Sequence, residues 1–193
     1  MTERDLGLDT LTGKPGRHFV EELLARINCL PIDRFAVLIA WVMARYGFGY
    51  CASINLAHLT AQGGVVKGVV DTQVYVEAWQ NRTLGLPDAK AFVREMRKLK
   101  LTQGCFFTTA TFSEDAASFL HRNDLDPRDR ASLVGMLTSA EAGVRLTSQA
   151  GVYRVDGELF DRLEKGPWEE ATRVFDGLPF HFRIGSFFGS ERG

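Results

Sequence analysis

The run GCFFTTATF, residues 104–112, limits the fold more than any other part of the chain. A strand with one face in water alternates apolar and polar residues. This run instead sets Cys105, Phe106 and Phe107 side by side, as a strand buried on both faces does. Such a strand belongs in the middle of a sheet that helices cover on both sides. Segments of helical period flank it. PDAKAFVREMRKLKL, 87–101, has a core stripe of Phe92, Val93, Met96 and Leu99 and carries Pro87 near its first turn. SEDAASFLHRN, 113–123, opens on Ser113, a good N-cap.

Upstream, RHFVEELLARINCL, 17–30, spaces Phe19, Leu23, Leu24 and Ile27 as one helical face and ends at Pro31. Asp33 then suits the N-cap of a helix from Arg34 to about Tyr46, with Gly47 in the usual C-terminal position. VVKGVV, 65–70, and QVYVEAW, 73–79, have the β-branched and aromatic content of two strands, joined by an Asp71-Thr72 turn. The order helix, hairpin, helix, strand, helix calls for an α/β sandwich with a parallel sheet centre. GVYRVDGELFDRLEK, 151–165, returns to a strand and then a helix begun near Asp156. The chain divides into a flexible leader at 1–16, a main domain at 17–165 and an aromatic extension at 166–193 packed on that domain. Residues 124–150, interrupted by Gly135 and Gly143, are a candidate insertion. In the extension, Phe180, Phe182, Phe187 and Phe188 alternate with polar residues, as in a terminal strand that closes its own sheet or offers an edge to a second copy.

The 23 basic and 24 acidic residues leave a formal charge of -1, so no overall field draws the chain to nucleic acid or to an anionic membrane, and any such contact must be local. Cys29, Cys51 and Cys105 show no paired spacing, which argues against a zinc cage or a disulfide framework and makes the reducing cytoplasm the natural compartment. MTERDLGLDT lacks the apolar run of a signal peptide, and FAVLIAWVMA is too short to span a bilayer and is flanked by Arg34 and Arg45, so no membrane contact is expected. His18, His58, His121 and His181 have no ligand spacing, and Gly63-Gly64 suits a hairpin better than a nucleotide cradle.

Five pieces in order carry a resemblance: DRFAVLIAWVMARYGFG (33–49), GGVVKGVV (63–70), VYVEAWQNRTLGLPDAKAF (74–92), GCFFTTATFSEDAASF (104–119) and VYRVDGELF (152–160). Together they resemble the catalytic domain of the Mrr-like restriction endonucleases, a branch of the PD-(D/E)xK nuclease superfamily. The resemblance implies an α/β, restriction-endonuclease-like three-layer sandwich whose mixed central sheet is flanked by helices. It also implies metal-dependent cleavage of DNA, in which acidic groups hold a hard divalent cation and a lysine steadies the attacking water. On this alignment the helix-borne acid falls at Ala36, and the hairpin aspartate at Val66, or at Lys67 if the register slips by one. Glu77 keeps the acidic position of the strand motif, while Trp79 replaces its lysine. Period two puts Glu77 and Trp79 on one strand face.

Two readings of the site follow. In the first it is degenerate: Trp79 fills the old cleft and no metal or cofactor is bound. In the second, Lys67, Asp71 and Glu77 converge from one hairpin into a relocated site that binds magnesium. Lys90, Arg94, Arg97 and Lys98 make one helix face basic, either as a phosphate-contacting surface or as a plainly solvated face. Thr108 and Thr109 end the apolar strand, where their hydroxyls either meet a backbone phosphate or satisfy the strand end. The expected function is a nuclease-fold protein that has lost hydrolysis and serves as a DNA-binding or protein-interaction subunit in defence against foreign DNA. The alternatives are a metal-dependent endonuclease with relocated residues and an assembly module that forms a homodimer through its tail.

Overall fold

The computed structural model describes residues 8–9, 14–48, 50–58, 61–67, 73–147, 152–167 and 181–182. The elements in chain order are β1 (Leu8–Asp9), β2 (Lys14–Pro15), α1 (Arg17–Cys29), α2 (Ile32–Arg45), β3 (Tyr50–His58), β4 (Ala61–Lys67), β5 (Gln73–Trp79), α3 (Leu86–Lys98), β6 (Gln103–Thr108), α4 (Glu114–His121), β7 (Pro127–Arg128), α5 (Arg130–Ser139), β8 (Val144–Thr147), β9 (Val152–Val155), α6 (Gly157–Lys165) and β10 (His181–Phe182). A six-stranded sheet runs β10-β3-β4-β5-β6-β7. Its β3–β4 and β4–β5 pairs are antiparallel, and β10–β3, β5–β6 and β6–β7 are parallel, so the sheet is mixed.

Two separate apolar clusters make this a three-layer sandwich. Val74, Val76 and Ala78 of β5 and Phe107 of β6 join one cluster with Phe35, Leu38 and Val42 of α2, Leu23 and Ile27 of α1, Leu133 and Leu137 of α5 and Phe160 of α6. Tyr75 and Trp79 of β5 and Phe106 of β6 join the other, with Phe92, Val93 and Met96 of α3 and Ala116 and Leu120 of α4. Neighbouring residues of β5 and β6 thus enter opposite cores, the burial on both faces expected of the apolar run. Phe92 stacks on Phe106 with ring centroids 4.4 Å apart and meets Tyr75 at 5.1 Å. Gly104 is required beneath this stack, because a Cβ there would stand 2.7 Å from the Phe92 ring.

The cap residues explain most helix boundaries. Ser113 accepts a hydrogen bond from Ala116 N, Asp129 from Ala131 N and Ser132 N, and Asp156 from Leu159 N. Gly47 ends α2 in the left-handed region, at φ 90°. One expected boundary is wrong. α2 begins two residues earlier, at Ile32, because the Pro31 carbonyl accepts from both Arg34 N (3.0 Å) and Phe35 N (2.9 Å), which places Asp33 in the first turn.

Strand β3 has no counterpart among the expected elements, since YCASINLAH mixes small, polar and apolar residues without a sustained period. The expected Asp71-Thr72 turn lies outside the described residues, and β5 pairs with β4 from Lys67 opposite Gln73. The stretch considered as a candidate insertion supplies β7 at the sheet edge, α5 in the first core and β8, which pairs with β9. Within the expected leader, β1 and β2 form a short antiparallel ladder. In the aromatic extension, His181 and Phe182 pair with Tyr50 and Cys51 at the outer edge of β3. Phe180, Phe187 and Phe188 lie outside the described residues. No described helix is long and apolar enough to cross a membrane.

Candidate functional site

Alternation along β5 aims Tyr75, Glu77 and Trp79 at the α3 side of the sheet, and the three side chains bind one another. Tyr75 Oη donates to Glu77 Oε2 at 3.1 Å, and Trp79 Nε1 donates to Glu77 Oε1 at 2.7 Å. Both carboxylate oxygens are therefore held by neutral donors from the same strand. Burial pushes the Glu77 carboxyl above its ordinary range. The Trp79 and Tyr75 hydrogen bonds oppose this, and the charges of Asp88 and Glu95 add to it. The Tyr75 hydroxyl is pushed up as well, first by burial and then by the charge and hydrogen bond of Glu77.

Trp79 is the pivot between this strand face and the following loop. The residue is 9% exposed, and the Arg82 guanidinium lies over its ring, 4.3 Å from the centroid. Arg82 Nη2 also donates to Asp88 Oδ1 at 2.6 Å, and Asp88 Oδ2 accepts from Gly85 N at 2.8 Å at the start of α3. A continuous line of contacts thus runs Tyr75, Glu77, Trp79, Arg82, Asp88. No lysine takes part in it, and the cation that reaches the Trp79 ring comes from three residues further on.

The loop that carries Arg82 is tied down on both sides. Gln80 Nε2 donates to the carbonyls of Ile27 (2.7 Å) and Leu30 (3.2 Å) at the end of α1. Asn81, at φ 53°, donates its backbone N–H to Thr109 Oγ1 at 2.8 Å, and that hydroxyl donates to Asn28 Oδ1 at 2.6 Å. Thr108 Oγ1 donates to the Arg82 carbonyl at 2.7 Å and accepts from Ala110 N at 3.1 Å. Thr108 and Thr109 are both buried. Of the two expected roles, their hydrogen bonds are those of strand-end satisfaction: both hydroxyls are engaged with the loop.

The remaining expected residues are dispersed. Ala36 is buried in the first core, with α1 and α5, whereas Glu77 and Trp79 face α3 across the sheet. Position 36 therefore lies on the opposite side of the sheet from them. On the ladder, Gly63 stands opposite Glu77, and Val66 stands opposite Val74, a position of the other face. Lys67 pairs with Gln73, four ladder positions from Glu77, about 13 Å along a strand that rises about 3.3 Å per residue. Asp71 lies outside the described residues.

Lys90, Arg94, Arg97 and Lys98 are all exposed on α3, but three of them have partners. Lys98 Nζ donates to Glu95 Oε1 at 2.9 Å, Arg94 Nε to the same oxygen at 3.2 Å, and Arg97 Nη2 to Asn123 Oδ1 at 2.7 Å. The Lys98 hydrogen bond, with Arg94 beside it, holds the Glu95 carboxyl below its ordinary range.

These donors do not fit a hard divalent cation. Each carboxylate is already engaged within the protein: Glu77 accepts from Trp79 and Tyr75, Asp88 from Arg82 and Gly85, and Glu95 from Lys98 and Arg94. Among the described residues, no three His, Cys, Asp or Glu side chains are grouped as a metal site.

A family model described as restriction endonuclease, Mrr_cat, matches residues 27–137. The chain belongs to that family. The Mrr_cat match spans α1's last turn through most of α5 and so contains the whole line from Tyr75 to Asp88. Comparison with curated proteins finds no match. Among solved structures, the DNA modification-dependent restriction endonuclease AspBHI aligns with a TM-score of 0.46 at 13% identity, over 73% of this chain and 39% of that one. This chain thus spans well under half of that enzyme's length.

Of the site residues that sequence reasoning passed over, Tyr75 was within reach, because it shares the period-two face of Glu77 and Trp79. Arg82, Asp88, Asn81 and Asn28 carry no periodic signal. Only the fold brings them together.

Proposed function

We propose that this member of the restriction endonuclease family no longer hydrolyses phosphodiesters and acts as a DNA-binding subunit. The observation that carries the reading is the occupation of both Glu77 oxygens by Tyr75 and Trp79. A metal ion at a carboxylate so held would have to compete with two hydrogen bonds from its own strand, and the indole in place of lysine supplies no charge for the attacking water. The relocated alternative is less well supported, since Lys67 is separated from Glu77 along the ladder. The exposed face of α3 supports the binding half: four cations against Glu95 leave a local positive surplus on a chain whose net charge is -1.

The test has two arms. Incubation of the purified protein with plasmid or linear DNA in magnesium or manganese should give no cleavage above a mock preparation. Metal-dependent cleavage that disappears in Glu77→Ala would overturn the hydrolytic half. A fluorescent duplex should bind with strong salt dependence, and replacing Arg94, Arg97 and Lys98 together by Ala should weaken it, lowering the log–log salt slope by about 0.9 for each phosphate that is no longer neutralised. A parent protein that binds no duplex at low salt would favour the protein-interaction role instead.

A further inference from the structure

The loop between β5 and α3 displays one cation on an unusually well-fixed base. Gln80, Asn81 N–H, the Arg82 carbonyl, Leu84 and Gly85 N–H are each tied by a hydrogen bond to another element or to the start of α3. Leu84 N donates to Thr111 O at 2.9 Å and Leu84 O accepts from Ser113 N at 2.8 Å, so this loop lies beside the one that follows β6. Asn81 sits in the left-handed region, which few non-glycine residues adopt without compensation. Both loops leave the carboxyl ends of the parallel pair β5–β6, the end of such sheets where ligands collect.

From this base, the Arg82 side chain is 44% exposed. Its guanidinium is oriented twice, by the Trp79 ring below and by Asp88 at one Nη2 edge. A guanidinium has five N–H donors in a planar fork, and among the described residues only the Asp88 bond uses one. Thr83, the next residue of the loop, and Thr111 of the loop after β6 bring their exposed hydroxyls to 3.4 Å from each other. An oriented guanidinium and two hydroxyls carried by the same pair of loops supply the kinds of donor that a tetrahedral oxyanion takes, and the guanidinium is already ordered, so less entropy is lost on binding.

We infer that Arg82, with Thr83 and Thr111, forms a binding site for a phosphate group at the carboxyl ends of β5 and β6. The site deepens the proposed DNA-binding role by naming a backbone contact remote from the cations of α3. Asp88 acts as a positioning residue: its carboxylate holds one Nη2 N–H and leaves the other four N–H donors for the ligand.

Two probes test it. Inorganic phosphate titrated into ¹⁵N-arginine-labelled protein should shift the Arg82 Nε resonance saturably, while Arg94 and Arg97 move less. In duplex binding, Arg82→Ala should weaken affinity about tenfold, as expected for loss of a charge-assisted hydrogen bond. Arg82→Lys, which keeps the charge but not the fork, should recover only part of that loss, and Thr83→Val with Thr111→Val should cost about threefold. Thermal melting of each variant separates binding loss from misfolding. A phosphate-induced Arg82 shift in a protein that binds no duplex would leave the phosphate site standing and remove the DNA-binding reading. Duplex binding that is insensitive to Arg82→Ala but abolished by the α3 triple replacement would remove the site and leave that reading. An Arg82 resonance unmoved by phosphate, in a variant series with parental affinity, would overturn the site outright.

Discussion

Replacing Trp79 by Phe removes the Nε1 donor 2.7 Å from Glu77 Oε1 while keeping an aromatic ring beneath Arg82. A hydrogen bond to a charged acceptor contributes about 1.5–3 kcal/mol, and none of the neighbouring residues replaces the lost donor. The smaller ring removes roughly 1 kcal/mol of apolar burial. The expected cost at pH 8 is therefore about 2.5–4 kcal/mol, or about 5–15 °C in melting temperature for a domain of this size.

The cost should depend on pH. Burial holds the folded Glu77 carboxyl above its ordinary value of 4.5, so the stability it contributes is full below that value and is lost as pH rises through the folded one. The Trp79 hydrogen bond is the largest influence lowering the folded value, so Trp79→Phe moves it further up and should cost more at pH 8 than at pH 5. Glu77→Gln keeps an oxygen for Trp79 and presents an amide that the Tyr75 hydroxyl oxygen accepts. In that background Trp79→Phe should cost about 1 kcal/mol less. Urea unfolding followed by far-UV circular dichroism measures all four proteins at both pH values. A Trp79→Phe variant within 0.5 kcal/mol of the parent, with no coupling to position 77, would refute the picture of a carboxylate held by the indole.

Gly104→Ala should destabilise by about 1–3 kcal/mol, because the new Cβ would stand 2.7 Å from Phe92 and 3.0 Å from Met96 Sδ, and calorimetry would show it. Adding Phe92→Leu should recover part of the loss, and a Gly104→Ala protein that melts with the parent would show that the stack yields freely. Thr109→Val strands both Asn28 Oδ1 and Asn81 N–H. It should cost about 2 kcal/mol and speed amide exchange in the 80–85 loop, and unchanged exchange there would contradict the assigned tether.

Local rules made much of the fold legible. Phe106 and Phe107 side by side announce a central strand, and Ser113 and Asp156 start the helices they cap. The strand Tyr50–His58 was not legible, because its small and polar residues take their place from the ladders with β4 and β10 rather than from any period of their own. The site was legible to the same degree. Period two correctly puts Glu77 and Trp79 on one face but says nothing about which helix layer that face meets, so the packing of Ala36 on the opposite side of the sheet lay beyond it. The hydroxyls of Thr108 and Thr109 were ambiguous for a related reason. A strand end can satisfy ligand or loop, and only the loop's return past Arg82 and Asn81 decides it.

The line from Tyr75 to Asp88 makes position 79 a point of no easy return. Under the proposed reading, a lysine reintroduced there would take away the indole donor of Glu77 and the platform of Arg82 in one step, leaving two cations to compete for Asp88 and Glu77. On that reading the neighbours are fitted to the tryptophan, so a lysine at this position is the disruptive residue. On the same reading, a change at position 79 towards metal-dependent cutting would need several concerted replacements rather than one.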